Sequence, residues 1–393
     1  MTEVFILAAQ RTAIGTFGGA LKDIAPAELA SSVVKAAMER SGIAAEQVQH
    51  VAWGQVIQTE PRDAYIARVA AVNGGIPVET PAFTVNRLCG SGLQAVVSAA
   101  QTILLGDADV ALSGGSESMS RAPFLSPAMR WGVKMGDTPM IDMLDGALRD
   151  PFGRILMGVT AENVAARYKI DREAQDALAI ESHRRASQAI REGRFKDQIV
   201  GIEIKTRSGP ASFVEDEHVR HDVKQTDLAG LRTIFRKDGG SVTAGNASGI
   251  NDGAAAIVLA GAEAVRRNGA KPLARLVAYA HAGVEPDYMG IGPVPATRKA
   301  LAKAGLTVRD LDVIESNEAF AAQACAVARE LDFDPAIVNP NGSGISLGHP
   351  VGATGAINVV KAVYELQRTG GRYALVTMCI GGGQGISAIF ERL

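Results

Sequence analysis

The sequence predicts an α/β protein made of two copies of one strand–helix unit, with a long segment inserted between them. Three observations predict it. Apolar runs of strand length alternate with helical patterns along most of the chain, the rhythm of parallel strands joined by right-handed crossovers. A series of elements also recurs. Gly90-Ser-Gly92, a helix, Gly106 and Val110-Ala-Leu-Ser-Gly-Gly115 match Gly352-Ala-Thr-Gly355, a helix, Gly370-Gly371 and Ala374-Leu-Val-Thr-Met-Cys-Ile-Gly-Gly382, and self-similarity of this size signals a duplicated unit. Between about residues 118 and 240 the character changes: charges become dense and Met, Trp131 and Pro stand in irregular stretches. An excursion of that length is uncommon without a function.

Taken in order, Val4 to Ala9 is an apolar run with the length of a buried strand. Pro26 opens an amphipathic helix to about Arg40; proline suits the first turn, where its missing N–H has no partner to lose, and Gly42 supplies the stop. Val48 to Val56 reads as a strand, Ala64 to Val72 as a helix, and Phe83 to Asn86 as a brief strand running into Cys89. Leu93 to Leu105 is helical up to Gly106, and Asp109 to Ser113 is a strand closing on Gly114 and Gly115. Inside the insertion, Asp171 to Glu192 is a long polar helix. Asp171 is its N-cap, because a carboxylate there accepts from N–H groups the first turn leaves free. Val242 to Ala260 returns to strand-like patterning, Ala262 to Asn268 is helical, and Gly269 to Pro272 is a linker. The rhythm then restarts, with strands at Leu273 to Tyr279, Val313 to Glu315, Ala374 to Met378 and Ile386 to Phe390. The helices between them are Ala296 to Ala304, Glu318 to Leu331 and Ala356 to Leu366.

The chain has 393 residues, 47% of them hydrophobic, enough for two or three domain-sized units with a large core. A formal net charge of -2 gives no basic footprint for nucleic acid; His218-Val-Arg220-His221 is a local basic cluster. Three cysteines, Cys89, Cys325 and Cys379, cannot all pair with one another, which fits free thiols in a reducing compartment. No Cys-x-x-Cys or His-x-x-x-His spacing suggests a metal site. The first residues read as a strand rather than a signal peptide, and no uncharged apolar run is expected to reach the ~18 residues of a membrane span. The last residues match no retention or peroxisomal signal. A soluble cytoplasmic protein is expected.

The chemistry concentrates at glycine-rich turns. Between Gly342 and Gly355 five glycines and His349 precede a helix. Glycines bring backbone N–H groups close to a ligand, and a helix start adds free donors and a positive dipole end. His349 is either a hydrogen-bonded spectator of that turn or a proton carrier. Cys89 stands just before Gly-Ser-Gly and a helix, a setting that favours thiolate, and a histidine beside it would make it an activated nucleophile. Its structural alternative is a small buried hydrophobe. Cys379, between a strand and three glycines, is open to the same two readings, as an acid or base or as core. Cys325, on an Ala-rich helix with no such turn, reads as structural. Asn317 either caps a helix or orients a water or donor. Glycines 381 to 383 offer N–H groups for an oxyanion hole. No carboxylate pair, metal cluster or dinucleotide fingerprint competes, so the residues point to acyl transfer through cysteine.

Several blocks resemble the signature segments of the thiolases: Asn86-Arg-Leu-Cys-Gly-Ser-Gly92, Asn317-Glu-Ala-Phe320, Asn339 through His349 to Gly355, and Cys379-Ile-Gly-Gly-Gly-Gln-Gly385. Arg11 to Gly19 and Met157 to Asn163 match as well, so the resemblance covers essentially the whole chain. It is nearest to the biosynthetic acetyl-CoA acetyltransferases, and among these to the bacterial β-ketothiolases that feed polyhydroxyalkanoate synthesis. The resemblance implies two βαβαβαββ halves in a layered α-β-α-β-α core. The first half would comprise residues 1–117 and 248–270, the inserted loop domain 118–247, and the second half 271–393.

The resemblance also implies roles. Cys89 would carry the acyl group as a thioester. His349 would activate Cys89 and, with a water positioned by Asn317, hold the thioester oxygen of the second acyl-CoA. Cys379 would remove the α-proton of that second substrate. The N–H groups of Cys89 and Gly381 would form the other oxyanion hole. In the loop domain, Ser248 and Ala244 would meet the pantetheine and Arg220 the nucleotide end of coenzyme A. Leu148, Met157, Phe235, Met289 and Phe320 would line the tail and acyl pocket. A homotetramer is implied, tied by the loop around Met129 to Met140, with acyl-CoA and CoA as substrates and no further cofactor, nucleic acid or membrane partner. Leu156 departs from the pattern, because biosynthetic members usually carry histidine there; an apolar residue beside the pantetheine leads to the expectation of acyl groups longer than acetyl. Two rivals share features with this reading: a decarboxylating ketoacyl synthase, which wants histidine or asparagine where Cys379 stands, and a non-catalytic acyl-CoA carrier.

Overall fold

Alternate residues of each strand point into different layers, and that alternation builds the molecule. The computed structural model describes residues 3–207 and 209–393. The first half runs β1 (Val4–Thr12), α1 (Pro26–Ser41), β2 (His50–Gly54), α2 (Ile66–Asn73), β3 (Ala82–Val85), α3 (Ser91–Leu105) and β4 (Val110–Ser118). Next come α4 (Met157–Tyr168), α5 (Arg172–Arg191) and the hairpin of β5 (Ile202–Thr206) and β6 (Gly209–Phe213), then β7 (Asn251–Gly261) and α6 (Ala262–Asn268). The second half follows as β8 (Ala274–Gly283), α7 (Pro293–Ala304), β9 (Val313–Ser316), α8 (Ala321–Glu330), α9 (Thr354–Thr369), β10 (Tyr373–Ile380) and β11 (Gln384–Glu391). The sheet path is β9-β10-β11-β8-β1-β7-β4-β2-β3. Among the described residues β1 and β8 meet over three pairs, Val4–Leu276, Phe5–Arg275 and Ile6–Ala274, so this is two half-sheets in narrow contact.

Val4 and Ile6 of β1, Ala111 of β4 and Ile257 of β7 pack with Val376 and Met378 of β10 around α3 and α9. The intervening Phe5, Leu7, Val110 and Leu112 face α1 and α2. On the far side Leu375, Ile389 and Ile314 face α7 and α8. The result is the α-β-α-β-α layering. A helix held between two sheets must be apolar nearly all round. That is why Leu88–Leu105, with mean hydropathy 1.4 over 18 residues, is long and apolar enough to cross a membrane. The expectation that no such run exists is therefore corrected: the run exists, and most of it is buried as the central helix α3.

Three further expectations change. Pairing is mixed rather than parallel: β2 runs parallel to β3 and β4, and β9 to β10, but β4–β7, β7–β1, β10–β11 and β11–β8 are antiparallel. Only residues 381–383 join β10 to β11, too few for the crossover that parallel strands need. Gly114 and Gly115 do not close β4, which continues to Ser118. They are glycines because a Cβ would lie 2.2 Å from the Ala255 carbonyl at Gly114 and 2.3 Å from the Gly352 carbonyl at Gly115. Finally, the second half has no full counterpart of β3, only an isolated bridge between Ile314 and Val338. There the side chain of Asn339 takes over the pairing, accepting from Ser316 N at 2.9 Å and donating to Ser316 O at 2.8 Å, and Pro340 follows with no N–H to continue a ladder.

The inserted segment is fastened from inside. Arg11 of β1 is fully buried, forms a two-pronged pair with Asp216 at 2.8 and 2.9 Å, and lies over the Phe195 ring. Removing one partner of such a pair leaves a buried charge uncompensated, at about 3–5 kcal/mol.

Candidate active site

The turn before α3 is tightly built. Leu88 adopts a left-handed conformation, φ 46°, which costs a non-glycine residue about 1–2 kcal/mol. Two side chains hold it there. Asn86 Oδ1 accepts from Leu88 N at 2.9 Å, and Ser91 Oγ accepts from Arg87 N at 2.8 Å while donating to Leu88 O at 2.7 Å. Cys89 follows, half-buried. The amide N–H groups of Gly381 and of Cys89 itself face its sulfur. Burial nevertheless pushes the thiol above its ordinary value, against those N–H groups and with the nearby Glu117 carboxylate adding to the rise. The bias toward thiolate expected of a helix start is thus outweighed by desolvation, and the proton must be taken away during attack, as expected of a cysteine with a histidine partner.

His349 sits in the turn before α9 with its backbone N–H and both ring nitrogens facing polar partners. Its backbone N–H donates to Asn251 Oδ1 at 2.9 Å, and Asn251 Nδ2 holds the Gly15 carbonyl at 3.0 Å. Gly348 (φ 112°) leaves the room for that anchor, since a Cβ there would lie 2.5 Å from Asn251. Nδ1 is 2.6 Å from Thr354 Oγ1. That hydroxyl donates to Pro350 O at 2.9 Å, so it accepts from Nδ1–H and leaves the lone pair on Nε2. Burial pushes the imidazole down to about 4, which keeps it neutral with its lone pair on Nε2. Asn317 Nδ2 lies 3.4 Å from Nε2, and Asn317 Oδ1 is buried with no hydrogen-bond partner. Asn317 does not cap α8: the helix starts at Ala321 with Phe320 as its N-cap residue.

Cys379, near the end of β10, is buried in a cluster with Met157, Met289, Ala319 and Phe320. Burial and the neighbouring Cys89 push its thiol well up. Gly381, two residues on, faces Met157 and Leu88. Phe235 meets Phe320 edge-on at 6.3 Å and presses its ring on Gly158, where a Cβ would lie 2.1 Å from it. Leu148 O accepts from Met157 N at 2.9 Å, and Leu156, half-buried, is the N-cap residue of α4. One apolar wall therefore gathers Met157, Met289, Phe235 and Phe320 beside Cys379, with Leu148 and Leu156 along its rim.

The remaining predicted residues lie further out. Ser248 N donates to Ala319 O at 3.0 Å, and Ala247 bridges Phe320. Ala244 is exposed on a turn that Asn246 fastens to α8, through Asn246 O accepting from Ala321 N at 2.8 Å. Arg220 is exposed, and its N–H donates to His183 Nδ1 at 3.1 Å. His218 beside it is held low by burial, so the cluster carries less positive charge than its sequence suggests. Cys325 lies apart on α8, its thiol pushed up to about 11 by burial. Sequence reasoning missed four residues that shape the site: Leu88, Asn251, Thr354 and Glu117. Glu117 gave the one visible signal, an acidic residue amid small ones directly after Gly114-Gly115-Ser116.

Residues 4–263 match the family described as Thiolase, N-terminal domain, and residues 270–392 match Thiolase, C-terminal domain. The chain belongs to the thiolase family. It is 66% identical over 391 residues to a beta-ketothiolase, BktB, of Cupriavidus necator, covering 100% of this chain and 99% of that one. An acetyl-CoA acetyltransferase of Chromobacterium violaceum is 51% identical, with 99% and 100% covered. Among solved structures, human mitochondrial 3-ketoacyl-CoA thiolase superposes with a TM-score of 0.98 at 45% identity, covering 100% of this chain and 99% of that one. The same enzyme in complex with CoA superposes at 0.97 with 44% identity, covering 100% and 98%. The layered fold derived above is thus the thiolase fold.

Proposed function

We propose that this thiolase moves an acyl group from one acyl-CoA to Cys89 and from Cys89 to the α-carbon of a second, as an acetyl-CoA C-acetyltransferase and β-ketothiolase. The reaction is the reversible Claisen condensation of two acetyl-CoA to acetoacetyl-CoA and CoA, and thiolysis in reverse. One observation supports the roles: the Gly381 N–H and Cys379 of the second half meet Cys89 of the first beside one apolar wall, and the second half also sets Asn317 3.4 Å from His349.

The chemistry follows from the protonation states. Cys89 Sγ attacks the thioester carbonyl as His349 Nε2 takes its proton. The N–H groups of Cys89 and Gly381 hold the oxyanion. Cys379, a thiol because of its burial, gives its proton to the departing CoA sulfur. The thiolate left behind is desolvated and therefore strongly basic, suited to removing the α-proton of the second acyl-CoA. The new carbanion attacks the Cys89 thioester, C–C bond formation expels Cys89 sulfur, and His349 returns the proton. Asn317 positions a water that, with His349, polarises the second thioester oxygen. The balance needs no resident cofactor.

Coenzyme A lies along the inserted segment, with Arg220 at the nucleotide end and Ser248 and Ala244 at the pantetheine. Leu156 and the wall of Leu148, Met157, Phe235, Met289 and Phe320 accept acyl groups slightly longer than acetyl. The protein is cytoplasmic, consistent with its three free thiols. It is a homotetramer joined through the segment around Met129 to Met140, where Trp131 is 91% and Met135 94% exposed and apolar exposure of that density marks an interface. Mass spectrometry after incubation with acetyl-CoA tests the core assignment. An acetyl adduct on Cys89 that forms in Cys379→Ala but not in Cys89→Ala is expected, and an unmodified Cys89 in the wild type refutes it.

A further inference from the structure

Glu117, at the end of β4, is completely buried between the two halves. Its carboxylate takes three backbone donors from both sides of the active site. Oε1 accepts from Ile57 N at 3.0 Å, and Oε2 accepts from Val56 N at 3.0 Å and from Gly352 N at 2.8 Å. Val56 and Ile57 follow β2 in the first half. Gly352 lies three residues after His349 in the second half, on the turn whose Thr354 fixes the imidazole. The Gly352 carbonyl also lies against the first half, close to Gly115.

We propose that Glu117 is a positioning residue, a clamp that fixes the His349 turn of the second half against the Cys89 half. The inference rests on Cys89 and His349 having the roles assigned above. A carboxylate is the group suited to the task, because three donors converge on two oxygens and an ionised carboxylate offers about four lone-pair sites and no hydrogen. Burial raises its pKa to about 8, the three N–H groups oppose that rise, and Asp63 adds to it. Above about that pH the carboxyl is ionised, and in the alkaline range where the Cys89 thiol titrates its buried charge also faces Cys89. A glutamine has the same shape but sets an NH2 against at least one of the three N–H donors, so the turn must shift.

The test is Glu117→Gln assayed in acetoacetyl-CoA thiolysis, with Cys89 alkylation by iodoacetamide followed across pH. The expected result is a kcat lower by on the order of tenfold to a hundredfold, the scale of a small misplacement of reacting groups. KM should stay within about twofold, the signature of an interaction that matters only on the way to the transition state. The alkylation profile should move to lower pH, because a charge facing Cys89 is gone. Glu117→Asp, which keeps the charge, should recover part of kcat, and it decides the question alone if the glutamine variant does not fold. Unchanged kcat in either folded variant overturns the proposal, as does a loss of kcat matched only by a loss of folded protein. If wild-type Cys89 carries no acyl group, the underlying assignment has failed, an outcome separable from these.

Discussion

Nδ1 of His349 and the hydroxyl of Thr354 lie 2.6 Å apart, and the same hydroxyl donates to the Pro350 carbonyl. A threonine at the first residue of α9 therefore decides which nitrogen of the imidazole carries the lone pair. Thr354→Val keeps the shape and removes the acceptor for Nδ1–H, so the ring is free to take the other tautomer or to swing. The expected outcome is a kcat for thiolysis lower by on the order of tenfold to a hundredfold, with recovery in Thr354→Ser. Steady-state kinetics of the two variants checks it, and equal losses in both would place the effect in packing rather than in the hydroxyl.

Acid should unfold this protein before it silences the chemistry. His349, His183 and His281 are pushed down by burial to about 4, about 3 and about 4. Their folded values lie below the unfolded one near 6.5, so the unfolded chain takes protons first. Their contribution to stability is complete above that value and is lost as pH falls through the window toward 4. Thermal melts at pH 7.5 and pH 5 should show a lower midpoint at pH 5. His349→Gln should narrow the difference by removing one of the groups that the unfolded state protonates.

Leu156 makes the rim of the acyl wall apolar. Leu156→His is expected to lower the thiolysis rate of 3-ketovaleryl-CoA relative to acetoacetyl-CoA by on the order of tenfold, the low end of the about 1–3 kcal/mol that one methylene is worth in an apolar pocket. The ratio of kcat/KM for the two substrates reads this directly, and an unchanged ratio would assign chain length to Phe235, Phe320 and the two methionines instead.

Trp131 and Met135 protrude almost entirely into solvent from one chain. If the proposed tetramer is joined here, changing both to glutamate should leave the fold and the Cys89 adduct intact and yield dimers in analytical ultracentrifugation where the unchanged chain sediments as a tetramer. Unaltered sedimentation would move the interface elsewhere.

Much of this was readable from residue order. α6 was placed to the residue, α5 to within one at each end, and Asp171 caps α5 by accepting from Ala174 N at 2.8 Å. Strand ends were the harder part. β4 and β10 run on through Gly115 and Cys379, although the sequence pattern ends each strand just before its glycine or cysteine. Their roles there depend on which backbone lies across the layer, which no local pattern carries. The same reason hid Thr354 and Glu117, whose partners lie on the far side of a turn or in the other half. The sequence favours a Cys89 thiolate because a helix start is visible in it and the depth of burial is not.

At the seam between the halves, the Gly352 carbonyl would lie 2.3, 2.9 and 3.1 Å from a Cβ placed on Gly115, Gly54 and Gly92. The first half supplies the hollow and the second the intruding peptide, so the duplicated units are no longer interchangeable. Chimaeras assembled from relatives should work only when hollow and peptide come from compatible parents. A crossover that brings one methyl group into the hollow would shift the His349 turn while leaving every sheet and helix in place.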